Sequence, residues 1–184
     1  MTFATLRPPY SVIYADPPWH YRDRANDGAR GAEHKYPVMS PAELAALPVR
    51  ELAAKDCALC MWVTYPQLAV GLDLIRAWGF RYSTGLFTWV KSKKSKKAGP
   101  GWIMGMGHYS RSNAELCLLS VRGAPKVVCR SVQQIIDTPR GRHSEKPAVA
   151  RERIVQLFGD VPRVELFARI RPPGWDVWGN EVGE

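Results

Sequence analysis

The chain has 184 residues, 46% of them hydrophobic, and a formal net charge of +9. This length and composition predict a single domain, residues 1–184, with a substantial core, and exclude a disordered protein. The cationic excess points to an anionic partner, nucleic acid first. No apolar segment approaches the ~20 residues that cross a bilayer. The start, Met1–Pro9, lacks a signal-peptide pattern, so a cytoplasmic protein without a membrane partner is predicted.

The first predicted strand, Tyr10–Ala15, is apolar and rich in β-branched and aromatic residues, and it ends in Asp16-Pro17-Pro18-Trp19. Two prolines cannot continue a ladder, because each lacks an N–H and has a fixed φ. The chain must therefore leave the sheet at Asp16. A carboxylate, one or two unpaired carbonyls and an indole then sit together at a strand's C-terminal edge, where open α/β sheets bind ligands. Such a cluster suits a planar base with an exocyclic amine. The plainer alternative is a Pro-Pro turn followed by a buried tryptophan.

Ser40-Pro41-Ala42-Glu43 has the form of a capping box and opens a helix running to about Leu47, where Pro48 stops it. Ala58–Val63 reads as a buried strand. Cys57 and Cys60 lie three apart at its start and face opposite ways, so they form no metal or redox pair; Cys117 reads as core as well. Pro66–Trp78 carries Leu68, Leu72, Ile75 and Trp78 near helical spacing and ends at Gly79.

Leu86–Val90 is the next strand. It runs into Lys91-Ser92-Lys93-Lys94-Ser95-Lys96-Lys97, where five of seven residues are lysine. Mutual repulsion makes this a loop, with a gate region at about 91–108. Lys91, Lys93, Lys94, Lys96, Lys97 and His108 are candidate phosphate-contacting residues beside the site. A solvated loop that only aids solubility is the alternative. Glu115–Val121 and Arg163–Phe167 are further strands, and Pro147–Phe158 a helix ending at Gly159. Strands alternating with helices predict an α/β sheet with parallel members.

Several ordered segments carry a resemblance: Asp16-Pro17-Pro18-Trp19, Lys35-Tyr36-Pro37-Val38-Met39-Ser40, Met61-Trp62-Val63-Thr64, Trp89-Val90-Lys91, Asn113-Ala114-Glu115, Ser144-Glu145-Lys146-Pro147, Glu165-Leu166-Phe167-Ala168-Arg169 and Trp175-Asp176-Val177-Trp178-Gly179-Asn180-Glu181. In these the chain resembles the Asp-Pro-Pro-Trp class of S-adenosylmethionine-dependent adenine-N6 methyltransferases. Eukaryotic members of that class include the catalytic subunit of the mRNA adenosine methyltransferase. The chain departs from the class in its lysine run and at Arg171, where a His is common nearby.

The resemblance implies a Rossmann-like methyltransferase sheet with helices on both faces and a permuted order, the catalytic motif preceding the cofactor motifs. It implies that Asp16, Pro17, Pro18, Trp19 and Tyr36 hold the target amine and base. Asp16 also lies near the methionine ammonium of S-adenosylmethionine, and Lys146 pairs with its carboxylate. Phe167, Arg169, Asn180 and Glu181 complete the cofactor site, and no metal is required. The alternative for Glu165 and Arg169 is a plain ion pair with each other. DNA is expected over RNA, with sequence specificity coming from the gate loop, the lysine run, a homodimer or a partner subunit. Two other functions compete: amino-methyl transfer to cytosine N4, whose motifs typically start with Ser or Asn and end in Tyr or Phe, and a catalytically silent nucleic-acid-binding subunit.

Overall fold

A computed structural model describes residues 3–19, 38–93, 101–105, 109–141 and 145–182. The elements are β1 (Tyr10–Ala15), α1 (Pro41–Ala45), α2 (Val49–Leu52), β2 (Ala53–Val63), α3 (Leu68–Ala77), β3 (Arg81–Ser92), β4 (Ala114–Arg122), β5 (Ile135–Pro139), α4 (Ala148–Phe158), β6 (Arg163–Leu166) and β7 (Asp176–Trp178). A 3-10 turn, Tyr65–Gln67, leads into α3.

The strands form one mixed sheet in the order β5-β3-β4-β2-β1-β6-β7. β1 is central and parallel to both neighbours, with Ala15 opposite Met61 on β2 and Leu166 on β6. β4 alone among these strands runs against its neighbours β2 and β3. Six strands therefore end at one edge of the sheet, and β4 begins there.

Period-two alternation divides β1 between two cores. Ile13 and Ala15 join Leu44, Val49, Leu52, Leu74 and Ile75 from α1–α3. Val12 and Tyr14 join Ala150, Ile154 and Phe158 from α4, with Trp62, Phe87 and Trp89. The same alternation sends Cys57 to the first core and Cys60 and Cys117 to the second. Burial pushes the Cys57 thiol up to about 12, which makes it inert. No group of three or more possible metal ligands occurs among the described residues, and no described helix is long and apolar enough to cross a membrane.

The capping box of α1 forms as read. The Ser40 N–H donates to Glu43 Oε2 at 2.7 Å, and the Glu43 N–H donates to Ser40 Oγ at 3.2 Å. α1 ends at Ala45, before Pro48 as expected, and a separate short helix, α2, follows Pro48. β2 and β3 start earlier than their apolar runs suggest, because Ala53 pairs with Tyr10 of β1 and Cys57 with Arg122 of β4, and Arg81 and Tyr82 pair with Val121 and Ser120 of β4. β5 was not anticipated: within it only Ile136 is buried. β6 stops at Leu166, since Phe167 adopts φ 61°, a left-handed conformation that cannot continue a strand.

Candidate active site

β1 delivers Asp16 to the edge where the six strands end. Lys146, immediately before the Pro147 that caps α4, places Nζ 2.6 Å from Asp16 Oδ2 and 3.4 Å from Glu115 Oε2. Lys91, near the end of β3, pairs with the other Glu115 oxygen. Cross-strand pairing of Trp89 with Glu115 puts these two side chains on one face. Asp16, Lys146, Glu115 and Lys91 thus form a row of alternating charges across β1, β4 and β3.

Burial pushes the Asp16 carboxyl above its usual 3.8, while Lys146 pulls it the other way. Burial opposes the charge on Lys146, but Asp16 and Glu115 outweigh it and hold the ammonium above its usual range. Burial would also raise Glu115, yet Lys146 and Lys91 bring it below the usual carboxylate range. The outcome is a fixed cation between two anions, with Asp16 the more basic carboxylate.

Aromatic residues brace this row. The Lys146 ammonium lies 5.7 Å from the centre of the Trp62 ring, and Lys91 lies 5.1 Å from that of Trp89. The Trp62 indole donates to Tyr14 OH at 2.5 Å, and its backbone carbonyl accepts from the Trp19 indole at 3.3 Å. Trp19 is therefore held by the strand next to its own and is buried in the α1–α3 core, as the plainer reading of a Pro-Pro turn before a buried tryptophan expects. The turn itself closes on backbone bonds: the Trp19 N–H donates to Pro17 O at 2.9 Å, and the Met39 N–H to Pro18 O at 3.1 Å. This corrects the expectation of unpaired carbonyls, since each is engaged and retains one further lone pair.

A second part of the edge is built where β6 and β7 end. The Ala168 N–H donates to Trp178 O at 3.0 Å, and the Phe167 ring packs on Trp178 at 5.3 Å. A Cβ at position 179 would lie 2.3 Å from Ala168 O and 2.7 Å from Ala168 N, so only glycine lets the two turns meet. Arg169 Nη1 pairs with Glu181 Oε1 at 3.0 Å, and Asn180 is exposed beside it.

Residues 10–181 of the chain match the MT-A70 family. The chain belongs to the MT-A70 family. It is 36% identical over 195 residues to the Type II methyltransferase M.MunI of Mycoplasma sp, covering 96% of this chain and 79% of that protein. It is 30% identical over 193 residues to the human N(6)-adenine-specific methyltransferase METTL4, of which it spans 38%. The zebrafish N(6)-adenosine-methyltransferase subunit METTL3 shares 25% identity over 94% of the chain and is spanned over 28% of its length. As an MT-A70 protein the chain is an adenine-N6 methyltransferase, and MT-A70 enzymes take the methyl group from S-adenosylmethionine.

Of the site residues read from the sequence, Asp16, Pro17, Pro18, Trp19 and Lys146 come together at one edge of the MT-A70 sheet. Phe167, Arg169, Asn180 and Glu181 meet at the adjoining β6–β7 turns. Tyr36, Lys94, Lys96, Lys97 and His108 lie outside the described residues. Lys91 is a strand residue paired to Glu115, not part of a solvated arm, whereas Lys93 is exposed. Glu165 does not pair with Arg169: it accepts two bonds from Arg151, at 2.6 and 2.8 Å.

Sequence reasoning gave no role to Glu115, Trp62, Tyr14 or Arg151. Glu115 carried a signal in hindsight, an acidic residue opening an apolar strand next to the gate region. The others read as ordinary core, and only the pairing of strands reveals what they support.

Proposed function

We propose that this MT-A70 protein methylates adenine N6 in DNA, and that Asp16 and Lys146 are the groups on which transfer depends. The 2.6 Å pair they form at the strand edge is the observation that carries the reading. One anion beside one cation complements the zwitterionic methionine end of S-adenosylmethionine. Lys146 would hold its carboxylate, and Asp16 would face its ammonium and the target amine. Phe167 would line the pocket for its adenine, while Arg169, Asn180 and Glu181 are suited to its ribose hydroxyls. The contact of Gly179 with Ala168 keeps those three groups on adjoining turns.

The adenine amine is a weak nucleophile because its lone pair is delocalised into the ring. Asp16 would accept one of its N–H groups and the remaining Pro17 lone pair the other. Both bonds strengthen as positive charge develops on nitrogen and favour a pyramidal geometry. Burial raises the basicity of Asp16, which strengthens its bond to that amine. Trp19, buried and fixed through Trp62, would brace the turn that presents Asp16 and Pro17, and Tyr36 is proposed as the aromatic contact to the extruded base. The bound S-adenosylmethionine supplies an electrophilic methyl group, and the protein's part is to hold the amine in line with it.

DNA is favoured by the likeness to a Type II methyltransferase spanned over 79% of its length. The motif order, with Asp16 ahead of Lys146 and Phe167, is read as a permuted methyltransferase sheet acting as one domain. Lys93 and the lysine run are proposed to meet phosphates, with a second copy or partner adding sequence specificity. The buried free thiols Cys57, Cys60 and Cys117 suit a reducing, cytoplasmic setting.

The test is methyl transfer from labelled S-adenosylmethionine to matched DNA and RNA oligonucleotides, read by nucleoside mass spectrometry. N6-methyladenine in DNA is the expected product. Product in RNA alone would move the substrate, and N4-methylcytosine would overturn the assignment.

A further inference from the structure

Trp102 lies beside the end of β3 and is 56% exposed, and Met104 beyond it is 75% exposed. Its backbone is nonetheless pinned. Trp102 forms an antiparallel bridge with Ser92, flanked by bonds from the Lys93 N–H to Gly101 O at 3.1 Å and from the Ile103 N–H to Lys91 O at 2.7 Å. Those flanking bonds make Ser92 and Trp102 a non-hydrogen-bonded pair, whose side chains stand close together on one face.

Alternation along β3 identifies that face. Phe87 and Trp89 point into the α4-side core, whereas Thr88 pairs with Leu116, which packs on the α1–α3 side. Ser92, and Trp102 opposite it, therefore share the α1–α3 side with Trp19. Two indoles thus belong to the same side of the sheet, Trp19 buried beneath the catalytic turn and Trp102 open to solvent. The exposed Lys93 pairs with the residue preceding Trp102, and Arg111 is exposed on the approach to β4.

We propose that Trp102 is a stacking platform for an unpaired nucleotide flanking the target adenine, with Lys93 contacting the adjoining phosphate. An exposed indole with a cation at the same strand end suits single-stranded nucleic acid, because every base has a π-face and every linkage a phosphate. This subsite rests on the reading of the protein as a nucleic-acid methyltransferase and names a contact that reading does not include. A second copy of the chain seated on the patch is the competing occupant.

The experiment compares wild type, Trp102→Ala, Trp102→Phe and Lys93→Ala for affinity to a fluorescent adenine-containing single-stranded DNA across a salt series. Sedimentation, melting temperature and S-adenosylmethionine affinity are measured in parallel. Trp102→Ala is expected to weaken DNA binding about 5- to 150-fold, the effect of one lost base stack. Trp102→Phe should recover most of that loss, and melting temperature and cofactor affinity should stay at wild-type values. Lys93→Ala should lower the salt slope by about 0.7, one phosphate contact on a single strand. Wild-type DNA affinity in Trp102→Ala overturns the subsite, as does a change confined to self-association. Failure of the wild type to bind or methylate any oligonucleotide would overturn the underlying reading instead.

Discussion

Lys146 reaches Asp16 across 130 positions of sequence and touches Glu115 in the same grip. Its ammonium is thereby a shared counter-ion for the carboxylates that β1 and β4 bring to the sheet edge. This arrangement gives Asp16 its acid–base behaviour. Burial raises its carboxyl above 3.8, and Lys146 limits the rise.

An acid limb in the pH–rate profile follows. Only ionised Asp16 can accept both the Lys146 bond and an amine N–H, so kcat should fall as pH drops through its raised pKa. The limb should therefore sit above pH 3.8. Lys146→Met removes the group that lowers this pKa, so the limb should shift to higher pH. It should also raise KM for S-adenosylmethionine. The check is kcat against pH at saturating substrates for both proteins; coincident acid limbs would dissociate Lys146 from Asp16.

Arg151 and Glu165 form a buried bidentate pair between α4 and β6, and the guanidinium also lies 5.8 Å from the Tyr14 ring centre. Arg151→Met leaves Glu165 buried without its cation, which costs about 3–5 kcal/mol. That is a large share of the ~5–15 kcal/mol stability of a domain. The double variant Arg151→Met, Glu165→Leu leaves no orphaned charge and should recover much of the loss. Urea midpoints of the three proteins read this directly, and additive losses would contradict it.

Much of this architecture was legible in the sequence. β1 has the bounds its apolar run suggested, because Pro9 and Asp16-Pro17 bracket it. α4 begins within one residue of its expected start, and the Ser40 capping box is present. The alternation of Cys57 and Cys60 into opposite cores followed from strand period alone. What escaped notice shared a physical cause, dependence on partners distant in sequence. β5 has one buried residue, and the start of β3 is polar, so neither shows an apolar pattern until pairing is known. The Lys91–Glu115 contact exists because Trp89 pairs with Glu115, and no local rule states that register.

Gly179→Ala should be severe, since the new Cβ would lie 2.3 Å from the Ala168 carbonyl and backbone would have to move. Phe167 already holds a left-handed φ of 61°, costing about 1–3 kcal/mol, so this turn has little slack. The expected result is a lower melting temperature together with weaker S-adenosylmethionine binding by calorimetry. Unchanged cofactor affinity would remove the β6–β7 turns from the cofactor site.

Tyr10 donates to Asp176 Oδ2 at 2.5 Å and accepts from the Arg7 N–H at 2.8 Å. Burial first, then the Asp176 bond, raises its phenol from 10.0 to about 12. The fold favours the neutral phenol, so this contribution to stability is fully present below pH 10.0 and is lost as pH rises toward about 12. Tyr10→Phe should be less stable at neutral pH by about 1 kcal/mol and lose less stability in that alkaline window. Denaturant midpoints across the window test the difference between the two proteins.

The most direct measurement is methyl transfer to adenine-containing DNA by wild type and Asp16→Ala, each first verified as folded by circular dichroism and thermal melting. The account predicts N6-methyladenine from the wild type and none above background from a folded Asp16→Ala. Retained methylation by that variant would contradict the central role given to Asp16.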